Sequence, residues 1–296
     1  MSRRRRAVAI IVAALIVILA GAHLVSRPAP DHPFFTRLPG DRTLVIAHRG
    51  GALLFPENTI VAFRGAVELG ADVLEMDVFQ TSDGVPVVIH DRTVDRTTDG
   101  AGEVRAFTLE ELQRLDAGHR FSRVDEPVEF PYRGEGVTIP TVREVFETFP
   151  REHMIVEIKE NNTDLADAVL ALVREFDRVD RTLIGSFHHD ILAYVRDALP
   201  AVATHGSERE LIPFLVASWL FLGGVMTPGY EAVLVPQRTG PIPVTTRRFI
   251  RATQGRNLFV AAWTINDPDE MRDLVARGVD ALLTDRPDLA YDIVRR

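Results

Sequence analysis

From Thr43 onward, short runs of β-branched and other apolar residues alternate with segments of helical period, and this alternation decides the fold class. Strands are expected near residues 44–48, 73–78, 153–158, 181–185, 200–204, 231–235, 258–263 and 279–284. Helices are expected near 59–69, 141–149, 164–176, 188–198, 207–221, 245–254 and 267–276, with a further one opening after Thr284-Asp285-Arg286-Pro287. Strands separated by helices pair in parallel, because the helix carries the chain back to the starting edge of the sheet. Eight such units in roughly 250 residues predict an α/β fold, a (β/α)8 TIM barrel. An open doubly wound sheet is the alternative, but no glycine-rich nucleotide fingerprint follows the first strand.

One apolar run does not fit as a parallel strand. Only Thr81, Ser82, Asp83 and Gly84 separate Val85–His90 from the strand before it, and a parallel crossover needs about a dozen residues or more. Asp83-Gly84 is a hairpin signal, so the chain is expected to rise past the barrel rim after strand two and return antiparallel. That path brings His90 back near the level of Asp77. Residues 100–135, rich in Gly, Glu and Arg, are expected to form a small inserted loop or lobe on the same face.

The first 26 residues stand apart from the barrel. Arg3 to Arg6 precede an apolar run from Ala7 to Leu24, long enough to cross a bilayer with the arginines on the cytoplasmic side. A cleaved signal peptide is the competing reading, since Ala20-Gly21-Ala22 resembles a small-residue cleavage site. In both cases the barrel, residues 43–296, is delivered outside the cytoplasm, either held at the cell membrane by a single pass or secreted. Residues 27–42, proline-rich at their start, read as a linker. A second apolar run, Leu211 to Val225, is too short for a span; it is either an outer barrel helix buried against its neighbours or a patch that rests on a membrane.

Net charge is −8 although Arg3 to Arg6 contribute positive charge, so the folded part is more acidic still, which argues against nucleic-acid binding. The chain has no cysteine, which excludes disulfides and thiolate metal sites.

Polar residues gather at the ends of the expected strands: His48 and Arg49 after strand one, Glu75 and Asp77 in strand two, Glu157 and Lys159 in strand three, and Trp263 in strand seven. In a barrel, the C-terminal strand ends converge on one mouth, where such folds carry chemistry. Three carboxylates on adjacent strands would repel one another in a dry site, and a divalent cation with oxygen ligands, Ca²⁺ or Mg²⁺, resolves this. Neutralisation by Arg49 and Lys159 without a metal is the alternative. Lys159 is the only lysine in a chain with 33 arginines, which suggests a place where a compact ammonium is needed. His48 and His90 can give and take a proton near neutral pH, as an acid and base pair. His119, His153, His188, His189 and His205 are read as structural. In the PENT stretch at 56–59, Asn58 or Thr59 is read as a helix cap.

With these residues assembled, the chain resembles the glycerophosphodiester phosphodiesterase family. The matching motifs are HRG at 48–50, PENT at 56–59, LEMDV at 74–78, DGVPVVIHD at 83–91 and VEIK at 156–159. GSF at 185–187, WTIND at 263–267 and LLTD at 282–285 match as well. The resemblance covers residues 43 to 295 and leaves none of the core motifs broken. It implies a metal-dependent barrel enzyme that converts glycerophosphodiesters to glycerol 3-phosphate and an alcohol. It implies Glu75, Asp77 and Glu157 as metal ligands, His48 and His90 as general acid and base, Arg49 and Lys159 as phosphate-binding residues, and Trp263 in the glycerol pocket. It also implies that the nucleophile is either the substrate's own 2-hydroxyl or water. The main alternative keeps the site and changes the substrate: a lysophospholipase D acting on membrane lysophospholipids. A catalytically inactive scaffold would have lost His48, His90 or a ligand, and all are present.

Overall fold

The structure, a computed structural model, describes residues 4–6, 10, 13, 14, 21–123 and 129–295. Most of the apolar run 7–24 lies outside the described residues, and among those described no helix is long and apolar enough to cross a membrane.

Eight parallel strands form the barrel: β1 (Leu44–Ala47), β2 (Val73–Gln80), β4 (His153–Ile158), β5 (Thr182–Gly185), β6 (Ala203–Thr204), β7 (Ala232–Pro236), β10 (Phe259–Trp263) and β11 (Ala281–Thr284). The hydrogen-bonded order runs β6, β5, β4, β2, β1, β11, β10, β7. The seam between β6 and β7 is spanned by one bridge, His205 to Ala232, so the cylinder is nearly closed. The (β/α)8 expectation is therefore met, and the doubly wound alternative is excluded, because the first and last strands pair along their length: Leu44 with Ala281 through Ala47 with Thr284.

Inward-pointing residues alternate along each strand and fill the interior: Leu44 and Ile46, Val73, Ile155, Leu183, Ala203, Ala232, Ala261, Ala281 and Leu283. Alternate residues face outward onto the helices. The outward Ala47, Leu74, Met76, Val156 and Ile184 pack with α2 (Ile60–Glu68), α4 (Val142–Thr148), α5 (Thr163–Glu175) and α6 (His189–Ala198). On the far side Val233, Val260 and Leu282 pack with α8 (Arg247–Gln254) and α9 (Pro268–Arg277).

Part of the expected linker belongs to the fold. A short helix, α1 (Pro33–Thr36), inserts Phe34 into the interior cluster, where it is 1% exposed and meets the His153 ring edge-on at 5.2 Å. Its approach is tied down by Ala29 N–H donating to the Arg256 carbonyl at 2.9 Å. The Phe34-Phe35 pair supplies the apolar surface that plugs the barrel floor.

The hairpin forms as expected. β3 (Pro86–Val88) runs antiparallel to β2, with Val78 opposite Val88 and Gln80 opposite Pro86. Phe79, Val87 and Ile89 then pack with Val94, Val104, Leu112, Val137 and Ile139 in a small cluster above the rim, which includes α3 (Leu109–Leu112).

Candidate active site

The carboxylate cluster follows from parallel register. Asp77 of β2 lies beside Glu157 of β4, and Glu75 sits two residues earlier on the same inward face. Ligand oxygens of Glu75, Asp77 and Glu157 fall within 4.8 Å of one another. Lys159, two residues beyond Glu157 on the same face, places Nζ 2.8 Å from Asp77 Oδ1 and 2.7 Å from Glu157 Oε1. Arg49 brings Nε to 3.3 Å from Asp77 Oδ2. Burial alone would raise the Asp77 carboxyl, but Lys159 and then Arg49 outweigh it and hold it below the usual range. Those same carboxylates keep Lys159 protonated against its own burial.

Glu75 is the odd member. It accepts the Arg49 backbone N–H at 2.8 Å, while burial, followed by the neighbouring Asp77 charge, pushes its carboxyl up to about 8. Two cations thus serve three carboxylates, and the least compensated one is fully buried. This donor set, all oxygen with one group short of positive charge, fits a hard divalent cation.

Each candidate histidine has a carboxylate partner. His48 sits in the turn after β1, where the chain enters a left-handed conformation at Arg49 (φ 51°). Its Nδ1 lies 2.7 Å from Asp285 Oδ1, and the other Asp285 oxygen accepts from Asn266 Nδ2 at 2.8 Å. Burial would lower the His48 pKa, but the hydrogen bond to Asp285 and the nearby Glu75 raise it above its ordinary value. His90 Nδ1 lies 2.7 Å from Asp91 Oδ1. In both cases Nδ1 is engaged, which leaves Nε2 as the free nitrogen.

His90 reaches the mouth because the ladder stops. Extending the Val78–Val88 register would set His90 opposite Met76, whose side chain points outward into the helical layer. The last hydrogen bond is Ile89 N–H to the Asp77 carbonyl at 2.9 Å; the chain then bends and His90 lines the cavity.

That cavity, about 850 Å³, is lined by His48, Arg49, Glu75, His90, Glu157, Lys159 and Trp263, with Asp77 buried beneath. Every sequence-derived site residue therefore meets at one mouth. Phe187 stands edge-on to Trp263 with ring centroids 6.2 Å apart.

The site also contains residues read otherwise from sequence. In PENT, Thr59 caps α2 by accepting from Ala62 N–H, but Asn58 does not cap: its Nδ2 donates to Asp77 Oδ2 at 2.9 Å and its Oδ1 accepts the Asp77 N–H at 3.2 Å. Glu57 accepts from Arg49 at 3.1 Å and from both terminal nitrogens of Arg96 at 2.6 and 2.7 Å. Arg96 also holds Asp91 at 2.5 Å, so one guanidinium links the His90 partner to the Arg49 partner. Asp91, adjacent to His90, was available to sequence reasoning. Asp285 was too, since in a closed barrel the end of the last strand lies beside the end of the first.

The profile of the glycerophosphoryl diester phosphodiesterase family matches residues 48–289. The chain belongs to that family. A glycerophosphodiester phosphodiesterase of Caldanaerobacter subterraneus subsp. tengcongensis is 34% identical over 266 residues, covering 86% of this chain and 99% of that one. A crystal structure of a glycerophosphodiester phosphodiesterase from Agrobacterium tumefaciens is 27% identical, with TM-score 0.69 over 84% of this chain and 99% of its own. An Oleispira antarctica phosphodiesterase, solved in complex with the product sn-glycerol-3-phosphate, shares the fold at TM-score 0.70, 24% identity, and coverage of 88% and 98%. As a glycerophosphodiester phosphodiesterase family member, the chain is a phosphoric diester hydrolase that acts on glycerophosphodiesters.

Proposed function

We propose that the enzyme hydrolyses glycerophosphodiesters to glycerol 3-phosphate and an alcohol, with His48 and His90 as the acid and base pair and one divalent cation, Ca²⁺ or Mg²⁺, held by Glu75, Asp77 and Glu157. The single observation that carries this reading is the meeting, at one mouth, of an under-neutralised carboxylate triad with two imidazoles, each bonded through Nδ1 to its own aspartate.

A phosphodiester is an anion, and its transition state gathers further charge on the phosphoryl oxygens. Arg49 and Lys159 put two cations at that position, oriented by Glu57, Asp77 and Glu157. The bound cation would supply additional charge stabilisation there. One imidazole Nε2 takes the proton of the attacking hydroxyl, and the other delivers a proton to the leaving alkoxide. Asp285 and Asp91 keep the Nδ1 protons in place, so each ring presents a defined tautomer to the cavity. Asn58, with both amide atoms on Asp77, fixes that carboxylate without competing for charge.

We also propose that the barrel works outside the cytoplasm, with residues 1–26 as its membrane anchor or as a cleaved leader. Fractionation of cells carrying the intact chain tests this. An anchor predicts release only with detergent; free release indicates cleavage.

The activity itself is tested by glycerol 3-phosphate release from glycerophosphocholine, with and without chelator, and for His48→Ala. Chelation and the substitution should each abolish release, and readdition of Ca²⁺ or Mg²⁺ should restore the chelated enzyme. Full activity of either sample would refute the site assignment.

A further inference from the structure

The two histidine dyads are set in different ways. Asp285 follows directly on β11, which pairs with β1 and so carries the carboxylate to His48. Asp91 has no such strand behind it. The β2–β3 ladder ends at the Ile89 N–H, and both His90 and Asp91 lie in the bend that follows. One Asp91 oxygen meets His90 Nδ1 at 2.7 Å, and the other accepts from Arg96 Nε at 2.5 Å. The aspartate that orients His90 is therefore itself oriented by a guanidinium. Arg49 shows the same dependence. It donates to Glu57 Oε1 at 3.1 Å, and Glu57 lies in the turn before α2, where its two oxygens take Arg96 Nη1 and Nη2 at 2.6 and 2.7 Å. All three nitrogens of one guanidinium thus go to two carboxylates, one behind His90 and one behind Arg49. Burial alone would raise both carboxyls, but the Arg96 hydrogen bonds, ahead of His90 and Arg49, hold both below the usual range.

Arg96 sits in a turn, residues 94–98, that is fixed at both ends. Val94 is fully buried in the cluster above the rim and donates its N–H to the Gly102 carbonyl at 3.0 Å. Thr98, also fully buried, donates its hydroxyl to the Val94 carbonyl at 2.8 Å, and its own carbonyl accepts from Arg120 Nε at 2.8 Å. The guanidinium therefore refers His90 and Arg49 to one rigid frame. None of Glu57, Asp91 and Arg96 lines the cavity. Its far wall, four strands from β2 in the hydrogen-bonded order, takes side chains from α7 (Glu208–Trp219) and from the hairpin of β8 (Arg238–Thr239) and β9 (Ile242–Pro243). Arg96 thus reaches the reacting atoms only through the groups that it holds.

We propose that Arg96 is a positioning residue for phosphodiester hydrolysis: its fork fixes the His90 imidazole through Asp91 and the Arg49 guanidinium through Glu57. This rests on the phosphodiesterase reading of the site. The need for it follows from the reaction. A proton and a charged phosphoryl oxygen must be met together, by groups carried on two separate loops. A displacement of about 1 Å at such a group costs on the order of 100-fold in rate. Lysine cannot replace this arginine, because an ammonium offers no planar fork to pair both Glu57 oxygens while also reaching Asp91.

The test uses the full chain and two readouts. The first is glycerol 3-phosphate release from glycerophosphocholine, in Ca²⁺ and in Mg²⁺. Arg96→Ala should lower kcat/KM about 10- to 100-fold with an unshifted thermal melt, and Arg96→Lys should recover none of the loss. The Arg96 side chain is 48% exposed, so free guanidinium ion can enter the space that the alanine leaves. At tens of millimolar, guanidinium ion should restore part of that variant's activity, and ammonium should not. Adding Asp91→Asn to Arg96→Ala should cost less than the product of the two single losses, since both act through one ring. The second readout, which needs no turnover, is long-range proton–nitrogen NMR of histidine-labelled protein at a pH where the rings are neutral. His90 should carry its proton on Nδ1 in the parent and shift toward Nε2 in Arg96→Ala, while His48 stays unchanged. If the alanine variant melts early, Arg96→Lys, which keeps the stem and the charge, carries both readouts. A folded Arg96→Ala enzyme with the parent's kcat/KM overturns the proposal. Full activity of Arg96→Lys also overturns it, because charge alone would then suffice. A loss that guanidinium ion does not repair, with His90 unmoved in the spectra, reduces Arg96 to part of its loop and overturns its positioning role. If the parent hydrolyses no diester, the phosphodiesterase reading falls; a His90 shift in the variant then still upholds the hold on Asp91, and an unmoved His90 overturns it.

Discussion

Replacing Asp285 by Asn keeps the shape of the His48 partner and removes its charge. Asp285 Oδ1 meets His48 Nδ1 at 2.7 Å, and its other oxygen accepts from Asn266 Nδ2 at 2.8 Å. The Asn266 Oδ1 is already taken by the Asp285 backbone N–H at 2.9 Å, so Asn266 can offer only donors to the new side chain. If the new amide turns its oxygen to Asn266, its NH₂ faces His48 and forces Nδ1 to accept, moving the ring proton to Nε2. If it turns its oxygen to His48, two NH₂ groups oppose each other in a half-buried site. Either arrangement loses a charge-assisted hydrogen bond worth about 1.5–3 kcal/mol. If that loss falls wholly on the transition state, kcat/KM drops roughly 10- to 150-fold.

The sign of the pH effect follows as well. Asp285 is a main reason that the His48 pKa stands above its ordinary value. Removing the charge lowers it, so whichever limb of the kcat/KM profile reports His48 moves to lower pH. The assay is glycerol 3-phosphate release across pH, beside a thermal melt to confirm folding. A folded Asp285→Asn enzyme within about twofold of the parent, with an unmoved limb, would refute the dyad.

Lys159→Arg should lower kcat/KM by at least about 100-fold, because a planar guanidinium cannot place one nitrogen between Asp77 Oδ1 and Glu157 Oε1 as Nζ does. Full activity would show that only the charge matters there. Phe34→Ala should destabilise the barrel by about 3–5 kcal/mol, read as a shifted urea midpoint at unchanged slope. An unshifted midpoint would mean that the floor plug does not support the core. A substrate lacking the glycerol 2-hydroxyl should not turn over if that hydroxyl is the nucleophile, and should turn over normally if water attacks directly.

The barrel was legible because its signal is local and repeated. Each strand announces itself by alternation and β-branched residues, and each helix by its own period. The mouth was legible for a related reason: polar residues at the ends of apolar strands have no place in a core, and the fold gathers those ends. Glu75, Asp77, Glu157 and Lys159 needed only the parallel register to meet. PENT was harder. Asn58 is a good capping residue by type, but Thr59 takes the cap, and Asn58 turns in a left-handed conformation to the Asp77 backbone and side chain instead. Nothing local distinguishes the two outcomes.

By itself, the sequence determined the order of the eight barrel strands, the hairpin after strand two, the absence of sulfur ligands and the charged and imidazole residues that the strand ends bring to the mouth. These rest on side-chain periodicity and on residue chemistry, both carried within a few neighbouring positions. Tertiary structure alone decided which groups touch. Barrel closure brings Asp285 to His48 across 237 positions of chain. The end of the β2–β3 ladder turns His90 inward against its strand parity. Arg96 joins Glu57 to Asp91, and the helix Glu208–Trp219 adds apolar side chains to the cavity lining. The physical reason is that hydrogen bonds and ion pairs act over about 3–4 Å, so they belong to geometry reached only after the chain has closed on itself.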